Sequence, residues 1–168
     1  MTDQAKHHFE ARLICLNKVY PRTPHIDQYR PIVVTSSIIK FLEGFITNSL
    51  RKYAVNNMHK HQFGFIPGLS IDECKTEVFG YINRVKTQIG ARTAYACMFD
   101  FSSAYDTVNR DLLRTRLQNL EILNKNQLDL LDFIHYNIRV RIGETQITTS
   151  RGVPQGLTSS PILFDIYV

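Results

Sequence analysis

The chain has 168 residues, 43% of them hydrophobic, and a formal net charge of +5. It is long enough for one buried core, and its excess of positive charge favours an anionic partner such as nucleic acid. The three cysteines are odd in number and widely spaced, which fits neither a disulfide framework nor a zinc site and predicts a reducing, intracellular compartment, with the nucleus or cytoplasm favoured over an organelle. Lys40 and Glu43 interrupt the longest apolar run, which argues against a membrane span.

The first predicted elements are two strands, at residues 12–16 and 29–34, that could pair as a hairpin. The hairpin region carries Lys18, Arg22 and Arg30 together with two prolines. Three cations on a proline-stiffened hairpin suit a polyphosphate or a nucleic-acid backbone. An ordinary solvated basic loop explains the composition equally well.

Two helices are predicted next, at about residues 36–57 and 70–88, separated by a loop at 62–70 that contains two glycines and a proline. Gly90 is expected to end the second helix. The second helix has an apolar stripe that we expect to be buried. The stripe consists of Cys74, Val78, Phe79, Ile82 and Val85.

The stretch that most suggests chemistry follows this helix. Residues 95–99 are apolar and predict a buried strand, and Asp100 stands at its C-terminal end. A lone buried carboxylate is costly unless a cation or hydrogen-bond donors compensate it. Asp100 is therefore a candidate metal ligand. Asp106, a few residues further on, is interpreted as the N-cap of the next helix.

The remaining chain predicts helices at about residues 109–120 and 125–136, then a β-hairpin at 138–149 that turns at Gly143. A glycine-rich loop at 151–161 leads into a final apolar helix. Within that loop, Gln155 can donate and accept hydrogen bonds at once, which suits a base pair or a sugar edge. A tight turn with no ligand would also explain an isolated Pro-Gln-Gly sequence.

Four of these stretches, in this order and spacing, resemble signatures of the reverse transcriptase domain of non-LTR (LINE-type) retrotransposons. Group II intron and telomerase polymerases are more distant relatives. The matching stretches are Tyr29-Arg30-Pro31-Ile32; Gln62-Phe63-Gly64-Phe65 with Pro67-Gly68 and Ser70; Phe99-Asp100-Phe101-Ser102 with Ala104-Tyr105-Asp106-Thr107-Val108-Asn109; and Gly152-Val153-Pro154-Gln155-Gly156 with Ser160-Pro161 and Leu163-Phe164.

The resemblance implies an α/β, or equally α+β, fold of the right-hand polymerase type. One partial domain would span residues 1–168, with about 12–90 forming fingers and about 91–168 forming part of the palm. A palm sheet that lacks its central hairpin should expose a strand edge and apolar surface.

The resemblance also implies the catalytic roles. Asp100 would ligate two catalytic Mg²⁺ ions, and the backbone carbonyl of Phe101 would complete the coordination of the nucleotide-bound ion. Tyr105 would be the steric gate that excludes a ribose 2′-hydroxyl and so selects deoxynucleotides, although a core aromatic is the simpler interpretation of that residue.

Three further residues are implied to bind the nucleotide. Arg30 and Lys18 would hold the triphosphate, and Gln155 would line the incoming nucleotide and the template. The expected partners are an RNA template, a DNA primer and deoxynucleoside triphosphates.

The chain departs from the family in one respect: it contains no Asp-Asp pair. In the family this pair follows shortly after the stretch that ends here at Val168. One carboxylate cannot hold two divalent ions. We therefore expect a segment of an RNA-directed DNA polymerase that is inactive alone and needs the remaining palm and thumb in cis or in trans.

The alternative is a non-catalytic nucleic-acid-binding relic, or scaffold, held within a larger assembly. A basic interaction module without any nucleic-acid role is a third hypothesis.

Overall fold

The hairpin predicted near the start of the chain is confirmed in the computed structural model, which describes residues 10–88, 93–142 and 144–168. These residues form a mixed α/β fold, as predicted, with four strands and five α-helices. The elements are β1 (Glu10–Asn17), β2 (Tyr29–Val34), α1 (Ser37–Asn57), α2 (Ile71–Gln88), α3 (Arg110–Asn119), α4 (Lys125–Asn137), β3 (Arg139–Ile142), β4 (Thr145–Ile147) and α5 (Ser160–Tyr167). The predicted helix end at Gly90, the hairpin turn at Gly143 and the boundary between fingers and palm near residues 90–91 lie outside the described residues.

The four strands make one mixed sheet in the order β2-β1-β3-β4. Strand β1 is antiparallel to β2, with Cys15 opposite Pro31, and parallel to β3, with Ala11 opposite Val140. Because side chains alternate along a strand, every second residue of β1 faces the core, where Ala11 is buried and Leu13 packs against the cluster. The sheet therefore joins the first and the last parts of the chain.

The core lies where α1, α4 and α5 meet, with α3 packed against α5. Helix α1 begins after Ser36, whose hydroxyl accepts a hydrogen bond from the Ile39 N–H, and α4 begins after Asn124 in a capping box with Gln127. The fully buried face of α1 recurs at helical spacing. It consists of Ile39, Glu43, Ile46, Thr47, Leu50 and Ala54.

The predicted buried stripe of α2 is wrong. No residue of α2 is buried, and Val78 and Phe79 are 49% and 62% exposed. An amphipathic helix buries its stripe only where another element faces it. The helices that form the core pack against one another instead.

The predicted buried strand at residues 95–99 is also wrong. Residues 93–100 have no regular structure, and Tyr95, Met98 and Phe99 are each at least 90% exposed. A strand needs a neighbour for its N–H and C=O groups, and no described strand pairs with this segment. Asp100 is consequently exposed and does not stand at the end of a buried strand.

Two features of composition have simple structural counterparts. All three cysteines are free, with Cys15 and Cys97 exposed and Cys74 partly exposed. Within the described ranges, none of the helices combines the length and the apolar character that crossing a membrane would require.

Candidate functional site

An open cleft of about 1050 Å³ lies between the β1–β2 hairpin, the turn at residues 101–106 and the loop at 155–161. All six site residues predicted from the sequence line it. They are Lys18, Arg30, Asp100, Phe101, Tyr105 and Gln155. The structure thus brings together residues that are up to 137 positions apart in the chain, calculated as 155 minus 18.

Asp100 and Phe101 form the exposed wall of the cleft. One oxygen of the Asp100 carboxylate accepts a hydrogen bond from the N–H of Phe101 at 2.9 Å. The Phe101 ring is 62% exposed and meets the ring of Phe164, on α5, edge to face at 5.7 Å. Phe164 thus connects this wall of the cleft to the core.

Tyr105 lies on a tight turn at residues 103–107. The carbonyl of Ser103 accepts hydrogen bonds from the N–H groups of Asp106 and Thr107 at 3.0 and 3.1 Å. This turn presents the partly buried Tyr105 ring to the cleft, 5.5 Å from the ring of Phe164.

The environment of the Tyr105 hydroxyl is electrically mixed. Burial raises the pKa of Tyr105, the negative charge of Asp165 raises it further, and the positive charge of Arg30 opposes both. The side chains of Arg30 and Asp165 therefore act on the same hydroxyl from different elements.

Asp106 was interpreted as a helix cap, and that interpretation is wrong. The N-cap of α3 is Asn109, whose side chain accepts a hydrogen bond from the Leu112 N–H at 3.0 Å. Asp106 lies on the cleft instead.

Hydrogen bonds of the loop backbone fix the position of Gln155. Its carbonyl accepts a hydrogen bond from the Val33 N–H of β2 at 2.6 Å, and the Ser160 hydroxyl donates to the carbonyl of Pro154 at 2.7 Å. Gly156 has φ +126°, and a Cβ at this position would overlap the carbonyl oxygen of Val33. The loop therefore lies flat against the edge of β2, with Gln155 at the cleft.

The charges on the cleft are divided. Lys18 and Arg30 are exposed cations on the hairpin, whereas Asp27, Asp100 and Asp106 contribute carboxylates. Such an arrangement suits a ligand that carries anionic groups and a bound cation together.

Comparison with known proteins shows the family to which the chain belongs. A family model described as reverse transcriptase (RNA-dependent DNA polymerase) matches residues 18–168. The chain belongs to the reverse transcriptase family. A 115 kDa protein in the type-1 retrotransposable element R1DM of Drosophila melanogaster is 27% identical over 147 residues, which cover 83% of this chain and 13% of that protein. The predicted membership in the reverse transcriptase family is confirmed, and the chain spans about one eighth of that relative.

The reverse transcriptase family as a whole uses divalent metal ions, and the oxygen donors on the cleft fit one only in part. The Asp100 carboxylate and the Phe101 carbonyl are ligands of the type that Mg²⁺ prefers. Across residues 10–88, 93–142 and 144–168, however, no three His, Cys, Asp or Glu side chains are grouped closely enough to hold an ion.

Sequence reasoning missed several residues that shape this reverse transcriptase cleft. The charge of Asp165 acts on Tyr105, and burial raises the pKa of Asp165 to about 6, opposed by a hydrogen bond with the side chain of Gln62. Glu43 and Arg110 are almost completely buried charges. Their signal was in the sequence, because each lies at helical spacing from apolar residues of a predicted core face.

Proposed function

We propose that this chain is the nucleotide- and template-binding segment of an RNA-directed DNA polymerase. The observation that carries the proposal is the convergence on one cleft of the six residues that the resemblance implied for the site. Family membership independently supports the same reaction class.

Each residue has a role that its chemistry suits. Lys18 and Arg30 hold the triphosphate, because a guanidinium fork pairs with phosphate oxygens and an ammonium adds a second charge. Tyr105 rests on Phe164 and occupies the space that a ribose 2′-hydroxyl would need. Gln155 contacts the nucleotide or template with an amide that both donates and accepts.

Asp100 and the Phe101 carbonyl would be this chain's ligands for Mg²⁺. When bound, two such ions activate the primer 3′-hydroxyl and stabilise the departing pyrophosphate. Since the described residues contribute too few carboxylates for two ions, we propose that a further palm segment, in cis or in trans, supplies the rest. On this proposal the chain alone is inactive, and its partners are an RNA template, a DNA primer and deoxynucleotides inside the cell.

The same shortage of ligands favours the second candidate, a non-catalytic nucleic-acid-binding relic of a reverse transcriptase. Such a relic would still bind RNA through its cations. Its affinity would fall steeply with salt, because phosphate contacts release counterions.

Primer extension on an RNA template, with Mg²⁺ and deoxynucleotides, tests the proposal. The assay compares this chain with a form extended by its downstream coding sequence, each with Asp100→Ala and with Asp111→Ala as the matched control at an exposed position of α3. We expect extension only by the long form, abolished by Asp100→Ala and retained by Asp111→Ala.

Activity of the long form that survives Asp100→Ala would refute the assigned catalytic residue. No activity in any form, with salt-sensitive RNA binding, would favour the relic.

A further inference from the structure

Arg110 is a cation almost completely buried at the start of α3, with 5% of its surface exposed. It shares the buried face of the helix with Leu113 and Leu117. Its Nε donates to the carbonyl of Gly152 at 2.8 Å, and its two terminal nitrogens donate to the carbonyl and the hydroxyl of Thr149 at 2.6 and 2.7 Å. The guanidinium also lies over the ring of Tyr136, 5.2 Å from its centre.

The hydrogen-bond acceptors of Arg110 lie within four consecutive residues, 149–152. Burial lowers the pKa of Arg110, while Tyr136 and Asp132 oppose that effect. The side chain still remains charged, since arginine does not lose its proton in proteins. A buried cation bound by neutral oxygens holds them strongly, because charge-assisted hydrogen bonds are about twice as strong as neutral ones.

The segment that Arg110 holds is also docked on the turn that carries Tyr105. The N–H of Val153 donates to the carbonyl of Tyr105 at 2.9 Å, and the N–H of Gly152 donates to the carbonyl of Val108 at 2.8 Å. A Cβ on Gly152 would come within 2.9 Å of the Tyr105 carbonyl oxygen. The backbones at Gly152 and Tyr105 are therefore in direct contact, with no room for a side chain between them.

We propose that Arg110 is a positioning residue for nucleotide selection. It clamps residues 149–153 against the turn at 105–108, and so fixes Tyr105 relative to Gln155, which follows two residues after the clamped segment. The proposal rests on the proposed function. It adds that the selectivity of the cleft for the sugar depends on Arg110, a side chain that does not line the cleft.

The consequence is specific to selectivity. A steric gate discriminates only while its ring cannot retreat, and here the backbone behind the ring is held by the clamp. If the clamp loosens, Tyr105 can withdraw and admit a 2′-hydroxyl, whereas Asp100 keeps its own local contacts. Discrimination against ribonucleotides should therefore fall more than the maximal rate with deoxynucleotides.

The first test uses this chain and measures amide hydrogen exchange. Arg110→Lys keeps the charge but loses the planar fork. The matched control is Arg114→Lys on the same helix, whose side chain pairs with Asp129 and Asp132 of α4. We expect Arg110→Lys to accelerate exchange of the Gly152 and Val153 amides by about tenfold, as for the loss of roughly one charge-assisted hydrogen bond, and Arg114→Lys to leave them unchanged.

The second test uses the extended protein and compares kcat/KM for deoxy- and ribonucleotides. We expect Arg110→Lys to lower the discrimination ratio by about tenfold, since misplacing a positioned group by about 1 Å costs up to 100-fold. The change should appear mainly as a higher KM for deoxynucleotides and as more efficient incorporation of ribonucleotides. Thr149→Val removes one hydrogen-bond acceptor of Arg110 and keeps the arginine, and it should produce a smaller change in the same direction. If Arg110→Lys does not fold, Thr149→Val tests the role of the clamp in its place.

Equal exchange rates and equal discrimination in the Arg110→Lys and Arg114→Lys proteins would overturn the inference. If the unsubstituted extended protein incorporates no nucleotide, the proposed function and the selectivity role fall together. The exchange data would then still decide whether Arg110 joins the two segments.

Discussion

The two walls of the cleft are held in very different ways. The wall that carries Gln155 leads into α5, where Ser159, Ser160 and Leu163 are at most 1% exposed. The wall that carries Asp100 follows a segment in which Tyr95 and Phe99 are more than 90% exposed. One wall is part of the core, whereas Asp100 and Phe101 in the other wall are connected to it through the contact between the rings of Phe101 and Phe164.

Residues of one candidate site therefore need not owe their positions to the same interactions. The Gln155 loop is fixed by backbone hydrogen bonds, a glycine that leaves no room for a Cβ, and buried charges behind it. Asp100 is fixed by a bond to its own neighbour. The first wall should therefore be sensitive to substitution, and the second should tolerate it.

Among the residues of the two walls themselves, the largest effect is expected at Gly156. Gly156→Ala places a methyl group against the Val33 carbonyl at a φ that L-residues rarely adopt, so the loop must leave the edge of β2. We expect a loss of about 3 kcal/mol of unfolding free energy, measured by urea denaturation. Gly44→Ala, in α1 with no atom within 4 Å of the new Cβ, should be neutral or stabilising by up to about 1 kcal/mol. Equal stabilities for the two variants would show that close contact between the loop and the edge of β2 does not stabilise the protein.

Glu43 should give the next largest effect. It is 2% exposed, and its carboxylate accepts a hydrogen bond from the Ser159 N–H at 2.5 Å, just before α5. Glu43→Ala leaves that N–H buried without its acceptor, and we expect a loss of about 2 kcal/mol. The control is Glu77→Ala, which removes a partly exposed partner of His61 and should change the unfolding free energy by less than about 0.5 kcal/mol. A small effect of Glu43→Ala would mean that α5 is anchored by other contacts.

The stability of the protein should also be sensitive to acid through His135, which is buried on α4. Burial and the charge of Arg110 lower the pKa of His135 from 6.5 to about 3, so between these values the unfolded chain binds a proton that the native state does not. The contribution of His135 is therefore complete above pH 6.5 and is lost as the pH falls towards 3. Compared with His135→Phe, the parent should lose stability on acidification by up to about 1.4 kcal/mol per pH unit, measured by denaturation at several pH values.

Asp165 acts in the opposite direction and must be kept in both proteins of that comparison. Its pKa is raised from 3.8 to about 6, so the native state binds a proton more tightly and this group favours folding as the pH falls through that range. A stability difference between the parent and His135→Phe that does not vary with pH would contradict the assignment of a neutral, buried His135.

The smallest effect is expected in the exposed wall. Phe99 is 92% exposed, and Phe99→Ser should change the unfolding free energy by less than about 0.5 kcal/mol. Leu163→Ala, in the core behind the opposite wall, should cost about 2 to 5 kcal/mol. A large loss from Phe99→Ser would show that residues 95–99 bury their apolar surface, and would remove the contrast between the walls.

The elements that the sequence predicted well are those whose pattern and partners lie close together in the chain. Residues 12–16 and 29–34 pair with each other, and the helices predicted from about residues 36 and 125 begin directly after the caps Ser36 and Asn124. The strand expected at 95–99 failed because apolar β-formers make a strand only beside another strand. The stripe of α2 failed for the same kind of reason, since periodicity identifies an apolar face but not what covers it.

That the proposed site residues share one cleft was predictable because family signatures select cleft-facing positions, as Arg30, Tyr105 and Gln155 illustrate. The residues behind them were not. The helical spacing of Arg110 and Glu43 places them on the core faces of their helices, but the groups that they bind lie 39 to 116 positions further along the chain. Only the tertiary fold shows that they are structural.

Phe164 has a consequence for how this cleft can evolve. Its single ring supports both Phe101 and Tyr105, at 5.7 and 5.5 Å. A substitution that moves this ring changes the support of Phe101, whose carbonyl is proposed to bind a metal ion, and of Tyr105, whose ring is proposed to contact the sugar. Sugar preference therefore cannot be tuned at position 164 without also disturbing the Asp100 side. We expect variants with altered sugar preference to arise by changes at Tyr105 itself or in the Arg110 clamp, with Phe164 retained.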